Sequence, residues 1–234
     1  MTCLEYTQNL LKDYRVIREL ANKPDSRCLI LKHKTLDGKL VFKQFQTAYP
    51  LYDALKNIAF ENLPLVYDAV TLDDGQVVLE EYVEGVMVAD VVETGLYTYS
   101  GAKRVLTDVC DALQVIHSFG FVHRDVKPEN IMISDSGIVK LIDFNASRRY
   151  SPTLTQDTIQ LGTIGYASPE QLGLSQSDRR TDIYAMGVLL NVMLTGEHPS
   201  KKLAKGRAGK IILKCTQINP DSRFQTVEEL KAAL

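Results

Sequence analysis

The spacing of apolar residues changes character near Gly85, and this change most constrains what the chain can fold into. Before it, short runs read as strands set off by turns. They are Tyr14 to Leu20, Cys28 to His33, Leu40 to Lys43, Val66 to Leu72 and Gln76 to Tyr82. Asp37-Gly38 and Asp73-Asp74-Gly75 punctuate them as turns. One short helical stretch, Leu51 to Ile58, follows Pro50. After Gly85 helical spacing takes over. Val105, Val109, Leu113 and Ile116 line one face of a predicted helix over Ser100 to Phe119, with Ser100 as its cap. Thr181 to Leu194 reads as a buried helix, and Ala204 to Cys215 and Thr226 to Leu234 as closing helices. Two short strands, Ile131 to Ile133 and Val139 to Ile142, flank the turn Asp135-Ser136-Gly137, and Ala146 to Gln160 reads as a polar loop. A strand-rich first third and a helical remainder predict an α+β chain of two lobes joined near Glu81 to Gly85.

Composition narrows the function classes. A chain of 234 residues can bury a substantial core, and a net charge of −2 carries no global attraction for nucleic acid or membrane. No apolar run approaches the ~20 residues that span a bilayer. Met1 to Asp13 has polar residues throughout and no secretory pattern. Cys3, Cys28, Cys110 and Cys215 are too scattered for a metal site, and read as reduced thiols of a cytoplasmic protein.

The chemistry concentrates in His123-Arg124-Asp125-Val126-Lys127-Pro128-Glu129-Asn130, followed by Asp143-Phe144-Asn145. These are the residue types that phosphoryl transfer uses. A carboxylate orients the attacking hydroxyl, a cation meets the moving phosphate, and an amide oxygen with a second carboxylate holds a metal on the phosphates.

With these residues in view, the chain resembles the eukaryotic-like protein kinases, most closely the bacterial serine/threonine type. Val41-Phe42-Lys43 resembles the strand with the phosphate-gripping lysine, and Glu81 to Gly85 the hinge. Gly162 to Gln171 resembles the substrate-docking loop, and Asp182 to Gly187 the buried helix whose Asp anchors the catalytic loop. Pro220 and Arg223 resemble the arginine motif of the C-terminal lobe. The resemblance implies a single kinase domain over 1–234. Its N-lobe, 1–82, would be an antiparallel sheet with one helix, and its C-lobe, 83–234, mainly helical. It makes Asp125 the catalytic base or hydroxyl positioner and Lys127 the γ-phosphate contact. Lys43 would hold the α- and β-phosphates of ATP, and Asn130 and Asp143 would bind Mg²⁺. Val41 and Met132 would sandwich the adenine, with hinge backbone near Glu81 and Val83 on its edge. A protein substrate is implied, and no nucleic acid or membrane partner; oligomeric state stays open. Thr163 would hydrogen-bond near Asp125 and Lys127, Glu170 would pair with Arg223, and His123 and Phe144 would pack in the inner spine. Arg124 marks kinases ordered by activation-loop phosphorylation, with Thr155 and Thr158 as the sites ahead of Ser147 and Ser151.

Three departures stand out. Ala21, Lys23 and Ser26 occupy the three positions of the glycine-rich loop, and Pro24 stiffens the turn, so weakened or altered ATP binding is expected. The helix glutamate that should pair with Lys43 is missing, since an ungapped count puts Leu51 there. Glu80 or Asp53 is expected to replace it, the alternative being a Glu80 that faces solvent. Asn145 replaces the glycine after Phe144, a mild change because Asn tolerates left-handed backbone. The leading reading is an active Mg-ATP-dependent serine/threonine kinase. The alternatives are a pseudokinase scaffold and a small-molecule phosphotransferase, the latter disfavoured by the docking loop. The basic stretch from Lys201 to Lys214 reads as a solvated face or as a docking patch for an acidic partner.

Overall fold

The computed structural model describes residues 1–151, 163, 165–172 and 176–234. The chain divides into two compact units, Met1–Phe60 with Pro64–Val83, and Glu61–Leu63 with Glu84–Leu234.

The first unit is a five-stranded antiparallel sheet of order β1-β2-β3-β5-β4. Its strands are β1 (Tyr14–Lys23), β2 (Ser26–His33), β3 (Lys39–Phe45), β4 (Val66–Leu72) and β5 (Gly75–Glu81). Because side chains alternate along a strand, β3 sends Leu40 and Phe42 to one face and Val41, Lys43 and Phe45 to the other. Both faces are covered. Helix α1 (Cys3–Leu10) lies over the first, where Cys3, Leu29, Leu31, Leu40, Phe42 and Val77 form a buried cluster. Complete burial of Phe42 alone contributes about 1.5–3 kcal/mol. Over the other face, helix α2 (Pro50–Leu55) buries Leu51, Tyr52 and Leu55, and Phe45 stacks on Tyr52.

Helix α1 falls in the segment read above only as polar. It is eight residues long, too short to be stable alone. A capping box starts it, with Thr2 Oγ1 accepting from Glu5 N and Glu5 Oε2 from Thr2 N, and the sheet completes it. Helix α2 ends at Leu55, three residues earlier than predicted, because Asn57 takes a left-handed φ of 60° and Lys56 bridges to Val66.

The second unit opens with β6 (Gly85–Met87), α3 (Val88–Thr94) and α4 (Tyr99–Ser118). Thr98, rather than Ser100, caps α4, its hydroxyl accepting from Gly101 N. Then follow β7 (Phe121–Val122), β8 (Ile131–Ser134), β9 (Val139–Leu141) and β10 (Arg148–Arg149). Strands β6-β8-β9 form one small sheet, and β10 pairs with β7. Three helices close the unit, α5 (Arg179–Thr195), α6 (Gly206–Cys215) and α7 (Val227–Ala233). Helix α5 is buried on nearly every side, as its strongly apolar sequence requires.

Gly187 packs α5 tightly against the end of α6. A Cβ there would lie 2.4 Å from Cys215 Cβ and 3.2 Å from Thr216 Cγ2. Gly187→Ala is therefore expected to destabilise the protein by ~1–3 kcal/mol. Thermal unfolding of the two proteins side by side tests this, and an unchanged midpoint would contradict the packing described.

Candidate active site

The candidate residues lie in both units, and each group is described within its own. In the second unit, a 3₁₀ turn over Pro128–Asn130 follows the loop carrying Asp125 and Lys127. Pro128 suits the first position of that turn, where no N–H is needed. Asn130 Nδ2 reaches back to Asp125 O at 2.8 Å and Asp125 Oδ2 at 2.9 Å. Lys127 Nζ stands 2.8 Å from Asp125 Oδ2 and donates to Thr163 Oγ1 at 2.7 Å. The Thr163 hydroxyl in turn donates to Asp125 Oδ1 at 2.7 Å. Burial alone would raise the Asp125 carboxyl, but hydrogen bonds from Lys127, Thr163 and Asn130, with the Lys127 charge, outweigh it and hold it below the ordinary carboxylate value. Asp125 is thus an ionised carboxylate aimed by three partners.

The loop is anchored from below. Asp182, on the first turn of α5, accepts the backbone N–H groups of His123 and Arg124 at 2.9 and 2.8 Å. His117 Nε2 sits 2.7 Å from the same carboxylate. Arg124 adopts φ +69° and Asp143 φ +64°, conformations that cost about 1–3 kcal/mol each in non-glycine residues. The Asp182 bonds help hold Arg124 there, as does Gln171 Nε2 donating to Arg124 O at 2.8 Å. His123 is fully buried and edge-on to Phe144, itself fully buried. Its Nδ1 accepts the Asp125 N–H, and burial pushes its protonation down, so it serves as a neutral packing group.

Backbone pairing brings Asp143 beside Asn130, since Ile142 N donates to Asn130 O at 2.9 Å. With its amide nitrogen committed to Asp125, Asn130 keeps its amide oxygen for a ligand. That oxygen and the Asp143 carboxylate are hard donors. Among the described residues no group of three His, Cys, Asp or Glu side chains could cage a metal. The donor set fits an ion such as Mg²⁺ that takes its remaining ligands from substrate phosphates and water. Met132 is half-buried on β8, opposite Met87 and Lys140.

The docking-loop residues that are described tie into the same unit. Glu170 meets Arg223 through two hydrogen bonds of 2.6 and 2.9 Å and also accepts from Thr181 Oγ1. Thr155 and Thr158, the predicted phosphorylation sites, lie outside the described residues.

In the first unit Lys43 is buried, not solvated, and its ammonium is 2.7 Å from Glu80 Oε1. Glu80 does not face solvent. Of the two carboxylates expected to reach Lys43, Glu80 does so, whereas Asp53 Oδ2 accepts from Gln76 Nε2. Lys43 Nζ also donates to the Tyr52 hydroxyl at 3.0 Å, a partner that sequence reasoning missed although Tyr52 sits beside the Leu51 it had counted to. Val41 is half-buried on the Lys43 face, directly opposite Glu80. Glu81 exchanges hydrogen bonds with Leu65, its N–H to Leu65 O and its carboxylate from Leu65 N, and Val83 is buried at the end of the unit. Where glycines would be expected, β1 and β2 pair down to Lys23↔Ser26. Gln46 ties the tip down, its side chain donating to Pro24 O at 2.8 Å and its N–H to Asp25 O at 3.0 Å. This hairpin is stiff where a glycine-rich one would be pliable.

Residues 16–233 match the family model described as "Protein kinase domain". Among curated relatives, a serine/threonine-protein kinase PknB of Mycolicibacterium smegmatis is 36% identical over 67% of this chain and 29% of its own length. A probable serine/threonine-protein kinase of Clostridium perfringens, CPE1738, is 30% identical over 86% of this chain and 33% of its own. A probable serine/threonine-protein kinase PknB of Lactococcus lactis is 32% identical over 62% of this chain and 24% of its own. The chain thus spans a third or less of the length of these relatives. Among the described residues no helix is long and apolar enough to cross a membrane.

Proposed function

Because the chain belongs to the protein kinase domain family, of the bacterial serine/threonine type, we propose that it transfers the γ-phosphate of ATP to serine or threonine hydroxyls of a protein substrate, itself included. The observation that carries this reading is Asp125, an ionised carboxylate held by Lys127, Thr163 and Asn130.

Its two units are then the N- and C-lobes of one domain. Asp125 accepts the substrate hydroxyl and orients it in line with the γ-phosphorus. A carboxylate held below its ordinary pKa is a weak base, so it takes the proton late, as the new O–P bond forms and the bond to ADP breaks. Lys127, whose ammonium already borders that carboxylate, offsets negative charge on the moving phosphoryl group. Lys43 binds the α- and β-phosphates. Asn130 and Asp143 would hold Mg²⁺, which when bound neutralises phosphate-oxygen charge and fixes the phosphates' orientation. Val41 and Met132 flank the adenine, and backbone at Glu81 and Val83 meets its edge. Thr155 and Thr158 are the self-phosphorylation sites of this reading. None of the four cysteines is in a disulfide, which suits a cytoplasmic setting.

The test is transfer from radiolabelled ATP with Mg²⁺, to the protein itself and to a generic basic protein. Incorporation on serine and threonine supports the reading. No incorporation, together with no Mg-ATP-induced thermal shift, would overturn it in favour of a binding module that does not turn over nucleotide.

A further inference from the structure

Lys43 has its counter-charge on the neighbouring strand of its own sheet. Strands β3 and β5 pair at Val41↔Glu80 and Lys43↔Val78, so Lys43 and Glu80 are diagonal neighbours on one face. Diagonal positions lie ~7–8 Å apart, within reach of two long side chains. The ammonium and carboxylate meet at 2.7 Å, with side-chain exposures of 9% and 5%. Among the described residues of the first unit, the helix on that face, α2, has six residues and offers Lys43 a neutral group, the Tyr52 hydroxyl.

We propose that Glu80 is the positioning residue for Lys43, and that the sheet itself, rather than a movable helix, sets this lysine for phosphate binding. Protein kinases in general draw the lysine's partner from a helix, and moving that helix controls whether the pair is formed. Here, parting the pair by sliding the backbone means moving β3 against β5, which breaks the hydrogen-bonded ladder between them. An ammonium this buried needs a counter-charge, and a two-residue register slip is far costlier than tilting a short helix. The lysine is therefore set whenever the first unit is folded. Control of turnover must then come from elsewhere than this pair.

The inference rests on the kinase reading for its catalytic consequence, so the test pairs a turnover readout with one that needs no turnover. Phosphate transfer and KM for ATP are measured for wild type, Glu80→Gln, Tyr52→Phe, Lys43→Met and the Glu80→Gln/Lys43→Met double variant. In parallel, acetylation of Lys43 by an N-hydroxysuccinimide ester is followed by peptide mass spectrometry. Glu80→Gln is expected to lower kcat/KM by about 10- to 100-fold and to speed Lys43 acetylation. Tyr52→Phe should lose only a few-fold. In the Lys43→Met background the Glu80 change should cost nothing further, which a merely structural role would not produce. Glu80→Asp keeps the charge one methylene short, and should fall between wild type and Glu80→Gln in both readouts. If Glu80→Gln does not fold, acetylation of Glu80→Asp no faster than wild type overturns the proposal. So does a Glu80→Gln protein matching wild type in both readouts, or a Tyr52→Phe loss as large as the Glu80→Gln loss. Wild type that transfers no phosphate defeats the kinase reading alone, and the acetylation comparison still decides how Lys43 is held.

Discussion

Asp125→Asn is expected to lower phosphate transfer by ~10²–10⁴-fold, the range lost with a positioned acid–base group, while Mg-ATP binding stays near wild type. The asparagine keeps the size of the side chain but removes the charge. It also places an N–H₂ where a carboxylate oxygen accepts hydrogen bonds from Thr163, or from Lys127 and Asn130. Those groups remain, so the loop loses one acceptor and the charge but keeps its frame, which Asp182 fixes from the other side. The Asp125–Lys127 pair is partly solvated, with side-chain exposures of 16% and 18%, so the thermal midpoint should move little. Single-turnover transfer with labelled ATP measures the effect, and undiminished incorporation would refute the role given to Asp125.

Arg223→Leu should have the largest effect on stability. The guanidinium is fully buried against Glu170, whose carboxylate is 3% exposed, and also donates to the carbonyls of Gln217, Arg180 and Ile218. Leucine would strand the carboxylate in the core, at about 3–5 kcal/mol. At ~2–4 °C per kcal/mol for a protein of this size, the thermal midpoint drops by roughly 10 °C. Removing both charges, as Glu170→Gln with Arg223→Met, should recover part of that loss, because a matched neutral pair carries no stranded ion. Burial alone would raise the Glu170 carboxyl, and the Arg223 hydrogen bonds and charge outweigh it, leaving it below its ordinary value. The pair's contribution is therefore complete above the unfolded carboxylate pKa of about 4.3 and is lost as pH falls through the lower folded value. The gap between wild type and Arg223→Leu should narrow in acid. Calorimetry at neutral and acid pH measures it, and a gap below about 1 kcal/mol at neutral pH would count against the buried pair.

Much of this protein was legible in its residues because the signals are local. Short runs of strand-forming residues set off by turn residues marked all five strands of the first sheet, since both signals lie within a few residues of each other. The strongly apolar sequence of α5 marked a buried helix. The run from His123 to Asn130 marked the loop because its members lie within one turn and a few extended residues of one another. Helix α1 also left a local signal, the Thr2 and Glu5 capping box, although its apolar face is too short to stand out without the sheet beneath it.

What the sequence by itself determined was therefore the kind of element at each position and the chemical types in the catalytic loop. Tertiary structure decided which distant side chains complete them. Gln171 reaches the Arg124 carbonyl across 47 residues, and Glu80 rather than Asp53 reaches Lys43, with the Tyr52 hydroxyl beside it; the reach of Thr163 to Asp125, 38 residues apart, was expected only through the family resemblance. Local pattern fixes the face on which a side chain emerges but not its neighbour across the sheet, which depends on the register between strands. The β3–β5 register puts Glu80 diagonal to Lys43, while Gln76 engages Asp53.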